Sequence, residues 1–431
     1  MRFALICLCL PPFALLAGDL PPAILPAGVG VCIHFGQGHQ RDVDLIAAAG
    51  FRFIRTDFIW ESIERQKGEY DWTDYDGLTA ALEKRGLRAI YILDYSNPLY
   101  ESFVAATNPM TGQVDPAALA SPQHPDSVSA FARFAAAAAE HFRGRRILWE
   151  IWNEPNISFW KPQANARQYA DFALAICRAI RTADPNATII GPASSCFPWE
   201  FIETLFQAGA LEYLDAVSVH PYRRGDQSPE TAKMDYDKLG KLIDQYAPPF
   251  RRGQIPIISG EWGYSSCTGG VSLDIQAAFL VRQQLANLLN GIPLSIWYDW
   301  KNDGPDPREN EHNFGTVQSD LSPKPAYAAL KVMTTQLAGF SIDHRLPIGK
   351  ATDYVLLLKN SKGQTRLAAW TTEKAHEVAL PVNKRNGSSG LVDGHGVASP
   401  VIAENGVLTI PLTELPVYVN PGKLKLKESS L

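Results

Sequence analysis

The chain has 431 residues, 46% of them hydrophobic and 20% charged, the composition of a soluble globular protein with a large core. The formal net charge is −5 and the lysines and arginines are scattered, which argues against nucleic acid as the main partner. Beyond the N-terminal segment the cysteines are Cys32, Cys177, Cys196 and Cys267, and their spacing indicates neither a disulfide scaffold nor a metal site. A bridge between Cys196 and Cys267 stays open, because both follow predicted strands.

The first 18 residues resemble a secretory signal peptide. A positive charge at Arg2 precedes an apolar run that ends in small residues, which is the order of regions in such a peptide. The run is too short for a comfortable membrane span, and Asp19 stands where a lipoprotein would carry cysteine. We therefore predict a secreted or periplasmic protein with no stable membrane anchor. The alternative is an uncleaved anchor.

Short apolar strands alternate with amphipathic helices from about residue 29 to 340. The predicted strands cover residues 29–35, 51–57, 87–94, 147–152, 188–192, 216–220, 256–261 and 293–300. The predicted helices cover residues 42–50, 73–86, 126–143, 165–183, 198–209, 230–246, 274–290 and 325–337. Alternation of this kind predicts a parallel sheet, and eight units predict an α/β fold closed as a (β/α)8, or TIM, barrel.

The pattern changes after about residue 341. Strand-like segments at 354–359, 365–370, 377–380, 407–410 and 417–419 are separated by turns rich in Gly, Asn and Ser, such as 386–390. They predict a small antiparallel β domain, which would either brace the barrel or bind glycan. The predicted organisation is a signal peptide over 1–18, the barrel over 19–340, the β domain over 341–422 and a disordered tail over 423–431.

Two predicted strands end in a glutamate. The fourth runs into Trp152-Asn153-Glu154-Pro155, and the seventh into Ser259-Gly260-Glu261-Trp262. Because a barrel gathers the carboxyl ends of its strands at one mouth, we expect Glu154 and Glu261 to face each other there. Hydrolysis of a glycosidic bond needs two carboxyl groups, one to protonate the leaving oxygen and one to act as nucleophile or as base for water. Their surroundings must keep one protonated and the other ionised.

Arg55 lies on the second predicted strand and is a candidate partner that keeps Glu261 ionised. Its alternative role is a buried structural ion pair. Tyr222, just after the sixth strand, could also donate a hydrogen bond to Glu261. Glu150 precedes the end of the fourth strand, and we predict a structural role for it.

Four further side chains lie at predicted strand ends. His34 and His220 lie at the ends of strands one and six, and each could instead be a core histidine that packing alone explains. Asp94 ends strand three and could serve the site or the scaffold. Trp300 ends strand eight, where we expect the aromatic platform for a sugar ring, with barrel packing as the alternative.

These motifs resemble those of clan A glycoside hydrolases, which carry an acid/base glutamate after asparagine on strand four and a nucleophilic glutamate on strand seven. Trp152-Asn153-Glu154-Pro155 is similar to the first motif, and Ile258-Ser259-Gly260-Glu261-Trp262-Gly263 to the second. The Trp-Asn-Glu-Pro form of the first motif and the C-terminal β domain are most similar to those of families 39 and 5, which include bacterial exopolysaccharide hydrolases.

The resemblance implies that Glu154 is the acid/base and Glu261 the nucleophile of a mechanism that retains anomeric configuration. It further implies that Asn153 binds the sugar 2-hydroxyl and that Arg55 and Tyr222 support the nucleophile. His34 and Asp94 have no assigned counterpart.

The expected protein is therefore a secreted, monomeric, retaining β-glycoside hydrolase that acts on a polysaccharide or oligosaccharide and needs no cofactor and no metal. One alternative is a non-catalytic carbohydrate-binding protein on a hydrolase barrel, which would not require two convergent carboxylates. Another is a transglycosylase, which shares the first chemical step. The long loop at residues 95–125 could wall a cleft or close a pocket, so both endo and exo action stay open.

Overall fold

The structure, a computed structural model, describes residues 19–108 and 112–427. The predicted signal peptide and the last four residues of the predicted tail lie outside these ranges. Within them, no helix combines the length and the apolar character that crossing a membrane would require.

Eight parallel strands close into a barrel, as predicted. In chain order the first ten strands are β1 (Val29–Cys32), β2 (Phe53–Ile59), β3 (Arg88–Asp94), β4 (Phe103–Thr107), β5 (Val114–Leu119), β6 (Leu148–Ile151), β7 (Thr188–Ser195), β8 (Ala216–His220), β9 (Ile257–Trp262) and β10 (Ser295–Trp297). The ring order is β1-β10-β9-β8-β7-β6-β3-β2, so each barrel strand has a neighbour on both sides. The strands are apolar because the helices cover their outer faces and the barrel core their inner ones.

The helices form the outer layer of the barrel. They are α1 (Gln40–Ala49), α2 (Trp60–Ile63), α3 (Thr73–Glu83), α4 (Pro125–His141), α5 (Ala166–Ala183), α6 (Trp199–Gln207), α7 (Lys233–Tyr246), α8 (Leu273–Leu289) and α9 (Pro325–Gln336). Local signals set their ends. Asn165 caps α5 by accepting hydrogen bonds from the backbone N–H groups of Arg167 and Gln168, and α1 ends at Gly50, whose φ of 97° favours glycine.

Alternation along the strands builds the barrel interior in layers. The lower layer is apolar and includes Phe53, Leu148, Ala216 and Ile258. Two residues further along the same strands, on the same face, stand Arg55, Glu150, Ser218 and Gly260. The interior therefore changes from apolar to polar one step below the mouth.

The connection after β3, predicted as a long loop, contains a hairpin. Strands β4 and β5 pair antiparallel, with Phe103 opposite Leu119 and Thr107 opposite Val114. Sequence pattern misses this hairpin because its residues are mostly exposed and carry no strict apolar alternation.

The C-terminal region forms an antiparallel sheet, as predicted. Its strands are β11 (Phe340–Arg345), β12 (Asp353–Asn360), β13 (Thr365–Thr371), β14 (His376–Pro381), β15 (Gly387–Val392), β16 (Ala398–Glu404), β17 (Val407–Leu412) and β18 (Val417–Asn420), in the order β11-β12-β13-β18-β15-β16-β17-β14. The turn predicted at 386–390 is wrong, because most of that segment belongs to β15. Pairing with β16 and β18 outweighs the weak strand propensity of Gly and Ser.

The described part of the predicted tail, residues 423–427, contacts this sheet. Leu424 is buried, and Leu426 forms an antiparallel bridge with Val382. The expectation of disorder is therefore not met in these five residues.

The sheet packs against the barrel through a shared core. Trp370 and Tyr418 belong to the same hydrophobic cluster as the barrel helices. At this contact Glu230 accepts two hydrogen bonds from Arg282, at 2.8 and 2.7 Å, and one from the indole of Trp370 at 2.7 Å. These buried contacts support the bracing role for the sheet.

Cys196 and Cys267 both carry free thiols. The disulfide left open by the sequence is therefore absent from the structure.

Candidate active site

A cavity of about 520 Å³ opens at the carboxyl ends of the barrel strands, the face at which barrel enzymes place their chemistry. Its lining includes Cys32, His34, Arg55, Asp57, Tyr95, Asn153, Glu154, Phe159, Ser195, Tyr222, Glu261, Tyr298 and Glu311. Both predicted catalytic glutamates are among these residues. The cavity therefore brings together side chains that are far apart in the sequence.

The backbone that presents Glu154 is strained. Trp152 and Glu154 both adopt positive φ, 67° and 44°, a region that non-glycine residues rarely occupy. Hydrogen bonds to neighbouring strands hold the segment, from the Trp152 N–H to the Leu93 carbonyl and from the Glu154 N–H to the Ala193 carbonyl. The abrupt turn aims the Glu154 side chain into the cavity, and such strain is typical of functional sites.

Arg55 is the centre of the hydrogen-bond network under the cavity. Its Nε donates to Glu150 Oε2 at 2.5 Å, its Nη1 to Glu261 Oε2 at 2.6 Å and its Nη2 to Asn153 Oδ1 at 2.8 Å. Tyr222 donates its hydroxyl to the other oxygen of Glu261 at 2.8 Å. Both oxygens of Glu261 therefore accept a hydrogen bond, which stabilises its ionised form.

His220 connects Arg55, which binds Glu261, to Glu154. Its Nε2 lies 3.2 Å from Arg55 Nη2, and its Nδ1 lies 2.9 Å from Glu154 Oε1. A guanidinium can only donate, so Nε2 accepts and the proton resides on Nδ1, which donates to Glu154. Complete burial lowers the pKa of His220 to about 4, so the ring is neutral near pH 7.

Glu154 lies in the environment of a proton donor. Its side chain is buried, with 7% of the residue exposed, and this desolvation raises its pKa from 4.5 to about 7, against the opposing effects of a hydrogen bond with Ser195 and the charge of Arg55. An oxygen of Glu154 and an oxygen of Glu261 lie within 4.8 Å of each other. Glu154 is thus shielded from solvent, whereas Glu261 accepts hydrogen bonds from an arginine and a tyrosine, so the two carboxyl groups have different surroundings, as a donor and a nucleophile require.

Three of the predicted binding residues do not line the cavity: Trp300, Asp94 and His220, of which His220 lies beneath it, in contact with Glu154 and Arg55. Trp300 is 1% exposed, and its indole donates to Asp42 at 3.0 Å. The platform prediction for Trp300 is therefore corrected: the chain leaves the regular strand after Trp297, and the Trp300 side chain packs in the helix layer. Asp94 is completely buried. Burial, followed by the neighbouring Asp57 carboxyl, raises the pKa of Asp94 well above its usual range.

His34 does line the cavity. Its Nδ1 lies 3.1 Å from Asp303 and 3.7 Å from Asp299. The hydrogen bond with Asp303, opposed by burial and aided by Asp299, raises the pKa of His34 to about 9. The cavity wall therefore carries an imidazolium that is hydrogen-bonded to Asp303.

Sequence reasoning overlooked Phe159 as an aromatic candidate for sugar contact. Phe159 is 40% exposed, lines the cavity and stacks on Tyr95 with ring centroids 5.9 Å apart. Its loop position, five residues after Glu154, gives no periodic signal. Tyr298, on the opposite wall, also lines the cavity.

Two residue triads in the described chain bring possible metal ligands within 4.8 Å: His34, Asp299 and Asp303, and also Glu154, His220 and Glu261. In the first, the raised pKa of His34 keeps its nitrogens protonated at neutral pH. In the second, the His220 lone pair points at Arg55. Neither histidine offers a free lone pair to a metal in its present hydrogen bonding.

Residues 27–304 match the family model described as Cellulase, glycosyl hydrolase family 5. The match spans more than half of the chain and includes both strand-end glutamates. The chain therefore belongs to this family of glycosyl hydrolases.

Solved structures of similar architecture carry related names. A family 39 glycoside hydrolase from Bacteroides cellulosilyticus WH2 is 26% identical with a TM-score of 0.77, and the alignment covers 94% of this chain and 82% of that one. A monomeric β-xylosidase from Caulobacter crescentus CB15 is 17% identical with a TM-score of 0.65, covering 91% and 95%. The second likeness is one of fold.

A curated relative is the β-xylosidase of Geobacillus stearothermophilus, 34% identical over 98 residues. That segment is 22% of this chain and 19% of the relative. The match thus spans about a fifth of that enzyme.

Proposed function

We propose that this protein is a retaining β-glycoside hydrolase with Glu261 as nucleophile and Glu154 as acid/base. The separation of the two carboxyl groups carries the proposal. One oxygen of each group lies within 4.8 Å of an oxygen of the other. This proximity fits the roughly 5 Å separation of the carboxyl groups in retaining enzymes better than the roughly 6.5–9.5 Å separation that lets an inverting enzyme admit water between them.

In the first step the ionised Glu261 attacks the anomeric carbon, and the bond from that carbon to the leaving oxygen breaks. Glu154, protonated by virtue of its raised pKa, transfers its proton to that oxygen. The products are a sugar ester on Glu261, the free aglycone alcohol and ionised Glu154. The His220 N–H, which points at Oε1, is placed to stabilise the new charge on Glu154.

In the second step Glu154 removes a proton from water, and the water oxygen attacks the anomeric carbon. The ester bond to Glu261 breaks, which restores both carboxyl groups and releases a sugar of unchanged anomeric configuration. Arg55 and Tyr222 recover their full hydrogen bonds to Glu261 as it regains its charge.

The substrate we propose is a β-linked oligosaccharide or polysaccharide, with β-xylosides as the first class to try. The named activities of the Geobacillus and Caulobacter relatives motivate that choice. A cavity of about 520 Å³ lies within the usual range for small-ligand sites.

We further infer that the protein is exported and acts as a monomer. The signal-like composition of residues 1–18 supports export. The relative from Caulobacter described as monomeric is the support for the second inference.

The test uses Glu154→Gln and Glu261→Ala with aryl β-glycosides and β-linked oligosaccharides. Each substitution should lower turnover of a glycoside with a poor leaving group by orders of magnitude while the far-ultraviolet circular dichroism stays unchanged. Near-normal turnover in either folded variant would refute the assignment. Glycan binding without hydrolysis by the wild type across a broad panel would favour a binding protein instead.

A further inference from the structure

Glu150 is a carboxylate that the chemistry described above does not use. It lies in the middle of β6 and is 0% exposed. Its Oε2 accepts from Arg55 Nε at 2.5 Å, and its Oε1 accepts from Ser218 Oγ at 2.5 Å. Both oxygens are therefore fixed from below the cavity, by strands β2 and β8.

Charge balance alone does not require this residue. Arg55 already faces the carboxylate of Glu261, so a second buried carboxylate leaves the Arg55 cluster with an excess negative charge. Burying an extra charge is costly, and an apolar side chain there would continue the layer formed by Leu148 and its neighbours. The contribution of Glu150 is to fix the orientation of the Arg55 guanidinium.

A guanidinium is flat and rigid, so anchoring Nε fixes where the two terminal nitrogens point. With Nε on Glu150, Nη1 meets Glu261 and Nη2 meets Asn153. An unanchored Arg55 could turn about its side-chain torsions and follow whichever carboxylate lies nearest. The Glu150 contact thus sets the place from which the nucleophile is held.

The Ser-Gly-Glu sequence around the nucleophile is built to accommodate this anchor. A Cβ on Gly260 would lie 2.3 Å from Ser218 Oγ and 3.1 Å from Glu150 Oε1. Any larger residue would therefore displace the Ser218–Glu150 hydrogen bond. Glycine before Glu261 keeps that bond intact directly beneath the nucleophile.

We propose that Glu150, locked by Ser218, is a positioning residue that orients Arg55 and through it aligns Glu261 for attack. The inference rests on the proposed hydrolase function. It assigns Glu150 to the nucleophile's half of the reaction, because Arg55 contacts Glu261 directly and reaches Glu154 only through His220.

The experiment measures pre-steady-state and steady-state hydrolysis of two aryl β-glycosides by Glu150→Ala, Glu150→Gln and Ser218→Ala. One substrate has a dinitrophenyl leaving group, which needs no proton, and the other a poor leaving group. Glu150→Ala should lower the glycosylation rate roughly 10- to 100-fold on both substrates, since a small misplacement of a reacting group costs about that much. KM should change less than about threefold, because the substrate-contacting groups stay in place.

Glutamine can accept from Arg55 Nε and donate to Ser218 Oγ, so Glu150→Gln should restore the rate to within about fivefold of wild type. Ser218→Ala removes the hydrogen bond to one oxygen of Glu150 and should lower the glycosylation rate by less than Glu150→Ala does. If Glu150→Ala does not fold, the rate of Ser218→Ala tests the inference in its place. The control is Glu230→Gln, which alters another buried glutamate bound to an arginine and should leave the rates of the folded enzyme unchanged.

A folded Glu150→Ala or Ser218→Ala variant within twofold of the wild-type rate would overturn the inference. So would a loss confined to the poor leaving group, which would place the defect in proton transfer, or a Glu150→Gln variant as slow as Glu150→Ala. If wild type hydrolyses no glycoside, the proposed function fails, and that result is distinct from all of these.

Discussion

The raised pKa of Glu154 predicts that the acid/base destabilises the fold at alkaline pH. The change to make is Glu154→Gln, which keeps the shape of the side chain and removes its ionisation. In the wild type, burial raises the pKa of Glu154 from 4.5 to about 7. Between these two pH values the folded state binds more protons than the unfolded state, so wild-type stability falls as pH rises.

The size of the effect follows from the shift. Each pKa unit corresponds to about 1.36 kcal/mol, so a shift from 4.5 to about 7 costs the wild type about 3 kcal/mol once both states are ionised. Below the unfolded-state pKa the cost vanishes. The free energy of unfolding of Glu154→Gln, relative to wild type, should therefore increase by about 2–3 kcal/mol between pH 5 and pH 8.

The assay is urea denaturation followed by tryptophan fluorescence at pH 5 and pH 8 and equal ionic strength. Glu230→Gln is the control, because Arg282 lowers the pKa of Glu230 despite the opposing effect of burial. A depressed pKa places the stability change below pH 5, so the difference between wild type and this variant should be constant across the tested range. The reasoning is refuted if the advantage of Glu154→Gln does not grow from pH 5 to pH 8.

Two further predictions concern activity. On a glycoside with a poor leaving group, kcat/KM should fall about tenfold per pH unit above an apparent pKa near 7, because Glu154 must be protonated; a rate unchanged up to pH 9 would contradict this. Phe159→Ala should raise KM for a β-linked oligosaccharide about three- to tenfold, since it removes an exposed aromatic contact, while Trp300→Phe, which alters a buried indole, should leave KM unchanged. An equal KM effect from both substitutions would argue against Phe159 as a sugar platform.

The sequence predicts the barrel well because its strands are apolar on both faces and alternate with helices. In the C-terminal sheet, strands β12, β13, β14, β17 and β18 are predicted, whereas β11, β15 and β16 are not. Strand β15 contains Gly387, Ser388, Ser389 and Gly390, residues whose local preference is for turns. Only pairing with β16 and β18 makes them a strand, and sequence pattern carries no information on that pairing.

Side chains at the carboxyl ends of barrel strands converge whatever their spacing in the chain. This rule predicts the network formed by Glu154, Glu261, Arg55, Tyr222 and His220. The rule fails for Trp300, because its side chain is buried in the helix layer and its indole donates to Asp42 instead of entering the cavity.

The roles of Glu150 and Phe159 depend on features that the sequence does not reveal. The sequence predicts a structural role for Glu150, and only the structure shows that Arg55 and Ser218 donate hydrogen bonds to its two oxygens. Phe159 lies in a loop without a periodic pattern. Contacts between distant strands and loop conformation are thus the parts of the site that needed the structure.

The central claim, that Glu261 becomes covalently bound to sugar, is tested most directly by trapping with a dinitrophenyl 2-deoxy-2-fluoro-β-glycoside of a sugar that the enzyme hydrolyses. The fluorine slows both steps and the good leaving group favours the first, so the intermediate should accumulate. Mass spectrometry of the digested protein should find one sugar on the peptide containing Glu261, and none in Glu261→Ala. A sugar on a different residue, or an active enzyme that forms no adduct and releases the α-anomer as first product, would contradict the account.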